Sequence, residues 1–359
     1  MDRHDVSKEV TAESVARLHQ EDLKVQHEYN CRGLTYWFDD KRKIAFCLVE
    51  SPNAESVLKM HNHAHGEVPH SIIEVDASLV ESFLGRMEDP ANNSGAELNV
   101  IDEPAFRFLL SVQIKIGQLN NRHNTDLAST IREYMQRVIN VINDMQGKVV
   151  RQDSRKLLVS FKTAHQAVMC GLALNKSLRM PYPHLALYIG LDAGLPVEGN
   201  KSIFEDTIQT SRRLCEMCSG FSMSPTVLKM YQEERTENVE DSMEITEISA
   251  AGMIFLNKFF DFLETNFSNS ELEIDTITSS VGYSRSQAYR YSVGLLGISP
   301  NAYLNKFRLE KSMDNLNSGI HSISETAYLC GFSSSSYYSK CFRKMYGISP
   351  KNYMAAITT

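Results

Sequence analysis

Apolar and polar positions along this chain switch between a period of two and a period near 3.6, and the switches predict its elements. In the first 82 residues, short runs at Asp2 to Val6, Leu34 to Phe38, Ile44 to Val49 and Ser71 to Val75 predict four strands. Thr11, with Glu13 and Ser14 behind it, opens a helix reaching about Tyr29, and Pro52-Asn53-Ala54-Glu55 opens a second that ends near His65-Gly66. The order is βαββαβ. Gly85 to Glu103, with Pro90 and Asn92-Asn93-Ser94-Gly95, predicts a linker. Beyond it come a strand at Phe106 to Ile114 and a helix from Ile131 to Met145. A hairpin follows at Val149-Val150 and Leu157 to Phe161, then a helix from Thr163 to Leu178. A strand at Leu185 to Ala193 and a helix from Asp206 to Cys218 complete this middle stretch. Ala251 to Phe267 is a strongly apolar amphipathic helix that opens the last stretch.

That last stretch contains the same unit twice. Val281-Gly282-Tyr283-Ser284 leads to Gly297-Ile298-Ser299-Pro300, and Cys330-Gly331-Phe332-Ser333 leads to Gly347-Ile348-Ser349-Pro350. The corner glycines lie 49 residues apart and the Gly-Ile-Ser-Pro elements 50 apart. In each copy a short helix, a Gly-aromatic corner, a Ser cap and a polar second helix make a helix-turn-helix. The second helices carry Arg, Gln, Ser and Lys, the side chains that pair with base edges and phosphates. One polar helix would be an ordinary solvated face; two with matching corners and ends are not. They resemble the C-terminal domain of the AraC-type (arabinose-regulator) family, two helix-turn-helices joined by a long helix, here Asn301 to Leu316. The resemblance implies a sequence-specific transcription regulator that binds double-stranded operator DNA in successive major grooves, about 34 Å apart. It implies base or backbone contacts from Arg285, Ser286, Gln287 and Arg290, and from Ser335, Ser336, Tyr338, Lys340 and Arg343. Arg308, on the connecting helix, is expected to be structural.

The net charge of −7 fits such a protein only after division. Residues 1–90 hold 10 Lys/Arg against 17 Asp/Glu, whereas residues 251–359 hold 10 against 8. Phosphate attraction depends on that local excess rather than on the whole chain. No run approaches the roughly 20 apolar residues that span a bilayer, and the start lacks a basic-then-apolar leader. Seven cysteines without framework spacing suit reduced thiols, so a cytoplasmic location is expected. Cys215-x-x-Cys218 is read as part of an amphipathic helix.

Histidine is concentrated where the acid is: seven of eleven lie in the first 70 residues. His61 and His65, spaced i, i+4, share a helix face, which suits imidazole-binding metals, though a polar helix end would look the same. Met1-Asp2-Arg3-His4, Leu34 to Asp39, Phe46 to Pro52 and Met60-His61-x-x-x-His65-Gly66 resemble a small family of nickel-binding ferredoxin-like proteins. That resemblance implies nickel or another divalent transition metal, with His4, His19, His61 and His65 as ligands and Cys47 and Glu50 beside them. His63 and His70 are expected to face solvent.

The middle stretch resembles the class III nucleotidyl cyclase domain through Leu157 to Phe161, Ala164-x-x-Ala167-Val168, and Tyr188 to Gly194 with Pro196-Val197. Such cyclases hold two magnesium ions on two aspartates. Here those positions fall at Val112 and Arg155, and the asparagine of the later helix falls at Gln209; Arg213 alone is kept. Valine cannot ligate Mg²⁺ and arginine brings charge of the wrong sign. A dimerisation module, or a pocket for a nucleotide-like effector without turnover, is therefore expected.

The expectation is a multidomain α+β chain: a ferredoxin-like βαββαβ domain (1–82), a cyclase-like α/β domain (104–235) and an all-α double helix-turn-helix (251–355). It is read as a homodimeric, non-enzymatic regulator governed by a metal or a small effector. The alternative is a nucleotidyl cyclase with regulatory flanking domains.

Overall fold

The computed structural model describes residues 1–358 except 92–97, 120–126, 178–181, 183, 218–219 and 235–245. The N-terminal unit runs β1 (Asp2–Asp5), α1 (Ala12–Val25), β2 (Arg32–Asp39), β3 (Ile44–Glu50), α2 (Ala54–Ala64) and β4 (Ser71–Ile72). Thr11 caps α1 and Asn53 caps α2, each accepting from the backbone N–H three residues on. The sheet order is β2-β3-β1-β4 with every pair antiparallel, the ferredoxin-like arrangement expected. Because successive side chains point to opposite faces, Tyr36, Phe38, Ala45 and Cys47 pack beneath Val15 and Ala16 of α1. Trp37, Phe46 and Leu48 on the other face meet α3 (Ala77–Leu84) and the middle unit.

The expected linker is fastened rather than free where it is described. The Asp89 N–H donates to Leu34 O and the Phe38 N–H to Glu103 O, both 3.1 Å. Arg86 lies 3.3 Å from Glu103 and 4.4 Å above the Trp37 ring. The reason is that β2 is an edge strand, whose unpaired backbone groups need partners.

The middle unit runs β5 (Arg107–Ile116), α4 (Leu127–Asp144), β6 (Lys148–Gln152), β7 (Lys156–Phe161), α5 (Ala164–Ser177), β8 (Leu185–Gly194), α6 (Glu205–Leu214), β9 (Phe221–Met223), α7 (Pro225–Glu234) and β10 (Thr246–Glu247). The order β8-β5-β7-β6 repeats the N-terminal topology, and parallel β9 and β10 extend it beyond β8. Phe108, Leu110, Val112 and Ile114 on one face of β5 join a core with α4 and α5. The opposite face carries Leu109 towards the N-terminal unit, and Ser111 and Lys115 towards α6.

The C-terminal unit is all helix: α8 (Ala250–Asn266), α9 (Ile274–Ser280), α10 (Arg285–Leu296), α11 (Pro300–Ser318), α12 (Ile323–Leu329), α13 (Ser335–Tyr346) and α14 (Pro350–Thr358). It is docked on the middle unit. Phe255, Phe259, Phe260 and Tyr303 share a core with Leu214 and Met217 at the end of α6, while Phe342, Tyr346 and Tyr353 continue the core around α4. Polar bonds seal the junction: the Leu119 N–H donates to Tyr346 O at 2.8 Å, and Gln118 Nε2 donates to Lys344 O and Met345 O at 2.9 and 3.0 Å. Lys115 Nζ and Tyr303 OH converge on Glu216 Oε2 at 2.6 and 2.8 Å. The β5 face that carries Ser111 and Lys115 is therefore largely covered by this chain's own domains.

Candidate metal centre and nucleic-acid interface

Two strands and two helices of the N-terminal unit bring a cluster of donors together. Asp2 and His4 share one face of β1, and Cys47 sits opposite Asp2 on β3. Above them α2 supplies His61 and His65, one turn apart, and α1 supplies Asp22. His61 is 1% exposed and lies between two carboxylates: Nδ1 is 3.0 Å from Asp22 Oδ1 and Nε2 is 3.1 Å from Asp2 Oδ2. His65 Nε2 is 3.2 Å from the same Asp22 oxygen and 3.4 Å from His61 Nδ1. His4 Nε2 lies 3.3 Å from Asp2 Oδ1 and is buried without a hydrogen bond.

Electrostatics follow from that packing. Burial would lower the His61 pKa, but Asp2 and Asp22 outweigh it and push it up to about 10, so its ring is an imidazolium at neutral pH. Burial opposes ionisation of Asp2, yet His4 and His61 hold its carboxyl well below the usual range; His61 and His65 do the same for Asp22. Burial, then Asp2 and Asp22, push the Cys47 thiol well up. The proton on His61 neutralises a site rich in negative charge.

The donor set suits a borderline transition metal. Asp22, His61 and His65 form one triad and Asp2, His4 and Cys47 another, with all donor atoms of each within 4.8 Å of one another. Metal–nitrogen bonds of about 2.1 Å separate neighbouring ligand atoms by about 3.0–3.4 Å. The Asp22, His61 and His65 atoms already stand 3.0, 3.2 and 3.4 Å apart. Three of the four expected histidines are thus brought together. His19 is not: it packs beside Tyr36, with Nε2 3.3 Å from Asp89. Glu50 is exposed near Arg32. Asp22 was missed, although it lies three residues beyond His19 and seven beyond Val15 on the buried stripe of α1.

In the C-terminal unit both corners use left-handed glycine, Gly282 at φ +75° and Gly331 at +77°. A Cβ on Gly331 would lie 2.2 Å from Phe267 O. Ser284 caps α10 in a capping box with Gln287, and Ser334, rather than Ser333, caps α13. The caps are 50 residues apart while the corners are 49 apart, so the second copy has one extra residue between corner and cap. Aligned on the caps, Tyr338 takes the place of Ala288, and both are buried at 0% and 1% exposure. The Tyr338 hydroxyl donates to Ser312 Oγ at 3.1 Å. Tyr338 is a core residue, which corrects its assignment as a DNA contact.

Arg285, Ser286, Gln287, Arg290, Ser336, Lys340 and Arg343 are exposed, and Ser335 is half-buried. Arg285 leans on Asp275, Nε to Oδ1 at 2.8 Å, and Gln287 Oε1 accepts the Ser284 N–H, leaving its amide NH₂ outward. Tyr289, 56% exposed, stands on the same face as Ser286 and Arg290 and was missed. Arg308 is structural as expected: Nε donates to Phe267 O at 2.8 Å and Nη2 to Asn269 O at 2.6 Å. In the middle unit Val112 is buried in β5, and Arg155 and Gln209 line one cavity. Cys215 is buried, while Cys218 lies outside the described residues.

Residues 277–356 match the family model described as "Helix-turn-helix domain". The C-terminal unit is a helix-turn-helix domain. Residues 1–75 match the model "Nickel responsive protein SCO4226-like". Over 97 residues the chain is 32% identical to the HTH-type transcriptional activator RhaS of Escherichia coli, covering 27% of this chain and 34% of that one. A crystal structure of an AraC-type transcriptional regulator from Chromobacterium violaceum is 29% identical with a TM-score of 0.29, covering 31% of this chain and 98% of that one. An adenylate/guanylate cyclase/hydrolase structure from Silicibacter pomeroyi is 18% identical with a TM-score of 0.27, covering 37% and 83%. The chain spans between 8% and 36% of the length of the first curated relatives it matches. Among the described residues no helix is long and apolar enough to cross a membrane.

Proposed function

We propose that this chain is a sequence-specific transcription regulator whose DNA-binding state is set by a divalent transition metal, nickel foremost. The observation that carries the DNA half is the pair of matched recognition helices, α10 and α13, presenting Arg285, Ser286, Gln287 and Arg290, and Ser335, Ser336, Lys340 and Arg343, outward from cores that bury Ala288 and Tyr338. Residues His4, His61 and His65, with Asp2, Asp22 and Cys47, would hold the metal; His19 is left out of the set. A bound metal would supply positive charge among these carboxylates, and holding it through His61 would require that imidazole to give up its proton. A metal changes DNA affinity only by binding two arrangements of the chain unequally. A homodimer on a two-part operator belongs to the same reading. The middle unit is read as non-catalytic, and turnover of ATP or GTP with Mg²⁺ or Mn²⁺ would overturn that.

The test is selection of bound sequences from random duplex DNA by untagged protein, followed by titration of the winning site with and without Ni²⁺. Metal content is measured on the same protein and on His61→Ala/His65→Ala. The reading expects one preferred sequence, metal lost in the double variant, and affinity that responds to Ni²⁺ in the parent alone. Absence of any preferred sequence removes the regulator; a preferred sequence indifferent to metal removes the sensor.

A further inference from the structure

A cavity of about 400 Å³ lies between the middle unit and the helix-turn-helix domain. Its floor is the β5 face at Ser111 and Gln113, and its walls are the β6–β7 hairpin, α6, α8 and α11. Arg151, Arg155, Arg212 and Arg213 line it from the middle unit, and the lining also carries five carboxylates, Asp153, Glu216, Glu264, Glu310 and Asp314, several of them already paired to nearby basic groups. Arg155 and Arg213 are each only 7% exposed, and the Nε of each is buried without a hydrogen-bond partner. A buried donor left unmade is costly, so these two N–H groups mark polar capacity that the chain itself does not satisfy. At the mouth Arg151 and Arg212 are exposed, with Asp153 and Glu264 acting on Arg212 from nearby. Phe260 and Phe307 supply an apolar wall opposite the arginines.

The same arginines hold the two units together. Arg155 Nη2 and Lys156 Nζ reach Asp314 of α11 at 3.4 and 3.1 Å. Arg213 donates to Asn257 Oδ1 of α8 at 2.8 Å and pairs with Asp261. An anion entering the cavity would compete with those carboxylates for the same guanidinium groups.

We propose that this cavity binds a small organic anion, an apolar or aromatic body bearing a carboxylate, phosphate or sulfonate, and that binding loosens α8 and α11 from the middle unit. Six of its twenty lining residues come from α8 and α11 of the helix-turn-helix domain, so occupancy is felt directly by the helix that joins the two motifs. The charged end meets Arg151, Arg155, Arg212 and Arg213, and the flat body lies against Phe260 and Phe307. A bidentate guanidinium contact fits all three acid groups. The effect on transcription rests on the DNA-binding reading above; the binding site does not.

The probe is 8-anilinonaphthalene-1-sulfonate, an aromatic sulfonate, titrated into the full-length protein and followed by fluorescence. The variant Arg151→Ala/Arg212→Ala alters two exposed mouth residues and is checked for an unchanged melting temperature. One saturable site per chain is expected, weakened at least about tenfold in the variant, the scale of losing a charge-assisted hydrogen bond. Amide exchange in residues 300–318 is measured with and without probe, and faster exchange on binding is expected. Equal affinity in parent and variant overturns the site. Binding with unchanged exchange in α11 overturns the coupling. Neither readout uses DNA, so failure here and failure of the regulator reading are distinguishable.

Discussion

Replacing Gly347 by alanine isolates the docking of the helix-turn-helix domain. Gly347 ends α13 at φ +79°, and a Cβ there would lie 2.2 Å from Leu119 O, a backbone atom of the middle unit. Two costs add. An alanine in the left-handed region costs about 1–2 kcal/mol. Relieving the collision requires the junction to open, at the expense of the Leu119 N–H to Tyr346 O bond and the two Gln118 bonds, each worth about 0.5–1.5 kcal/mol. Gly319 is the internal control: it ends α11 at φ +65° with nothing within 4 Å of its Cβ position, so Gly319→Ala carries the first cost alone. Gly347→Ala should exceed it by about 2–3 kcal/mol. A chain of several units gives no single unfolding free energy, so the assay is native-state hydrogen exchange at the Leu119 amide. Acceleration by about thirtyfold or more over the Gly319 control is expected. Equal exchange in the two variants would refute the docked arrangement.

Tyr338→Phe should cost about 1 kcal/mol through loss of the hydroxyl bond to Ser312. It should leave the selected DNA sequence unchanged; an altered preference would return Tyr338 to the interface. Arg290→Ala should weaken binding to the selected site by about 1–3 kcal/mol, with a sequence-dependent loss if it reads a base and a uniform one if it touches phosphate. Burial opposes ionisation of Glu216, but Lys115 and Lys306 outweigh it and bring its pKa to about 2. Its stabilisation is therefore present above the usual carboxylate value and is lost as pH falls from about 4.5 towards 2, on the order of 3 kcal/mol. Glu310 has the opposite sign, because burial and Glu216 raise its pKa. Acid melting curves should therefore flatten in Glu216→Gln and steepen in Glu310→Gln, and the reverse ordering would refute the assignment.

The sequence by itself determined whatever is local or repeated. Short strand-like runs and the Thr11 and Asn53 caps marked the N-terminal elements within a few residues, because such signals act over one turn or one strand. The doubled Gly-Ser corner identified the two helix-turn-helices for the same reason. It also held the clue that was passed over: an offset of 49 at the corners against 50 at the ends encodes the extra residue that turns Tyr338 inward. His61 and His65 were legible because one helix carries both, whereas Asp22 comes from another helix and Asp2 from a strand.

Only the tertiary structure decided that His61 lies between those two aspartates, that His19 turns aside to Asp89, and that the expected linker lines β2. It alone placed the helix-turn-helix domain on the β5 face, with Arg155 and Arg213 reaching across to Asp314 and Asp261. These are contacts between residues from 39 to 227 positions apart in the sequence. No helical or strand period spans such distances, and shape and charge complementarity between finished units set them.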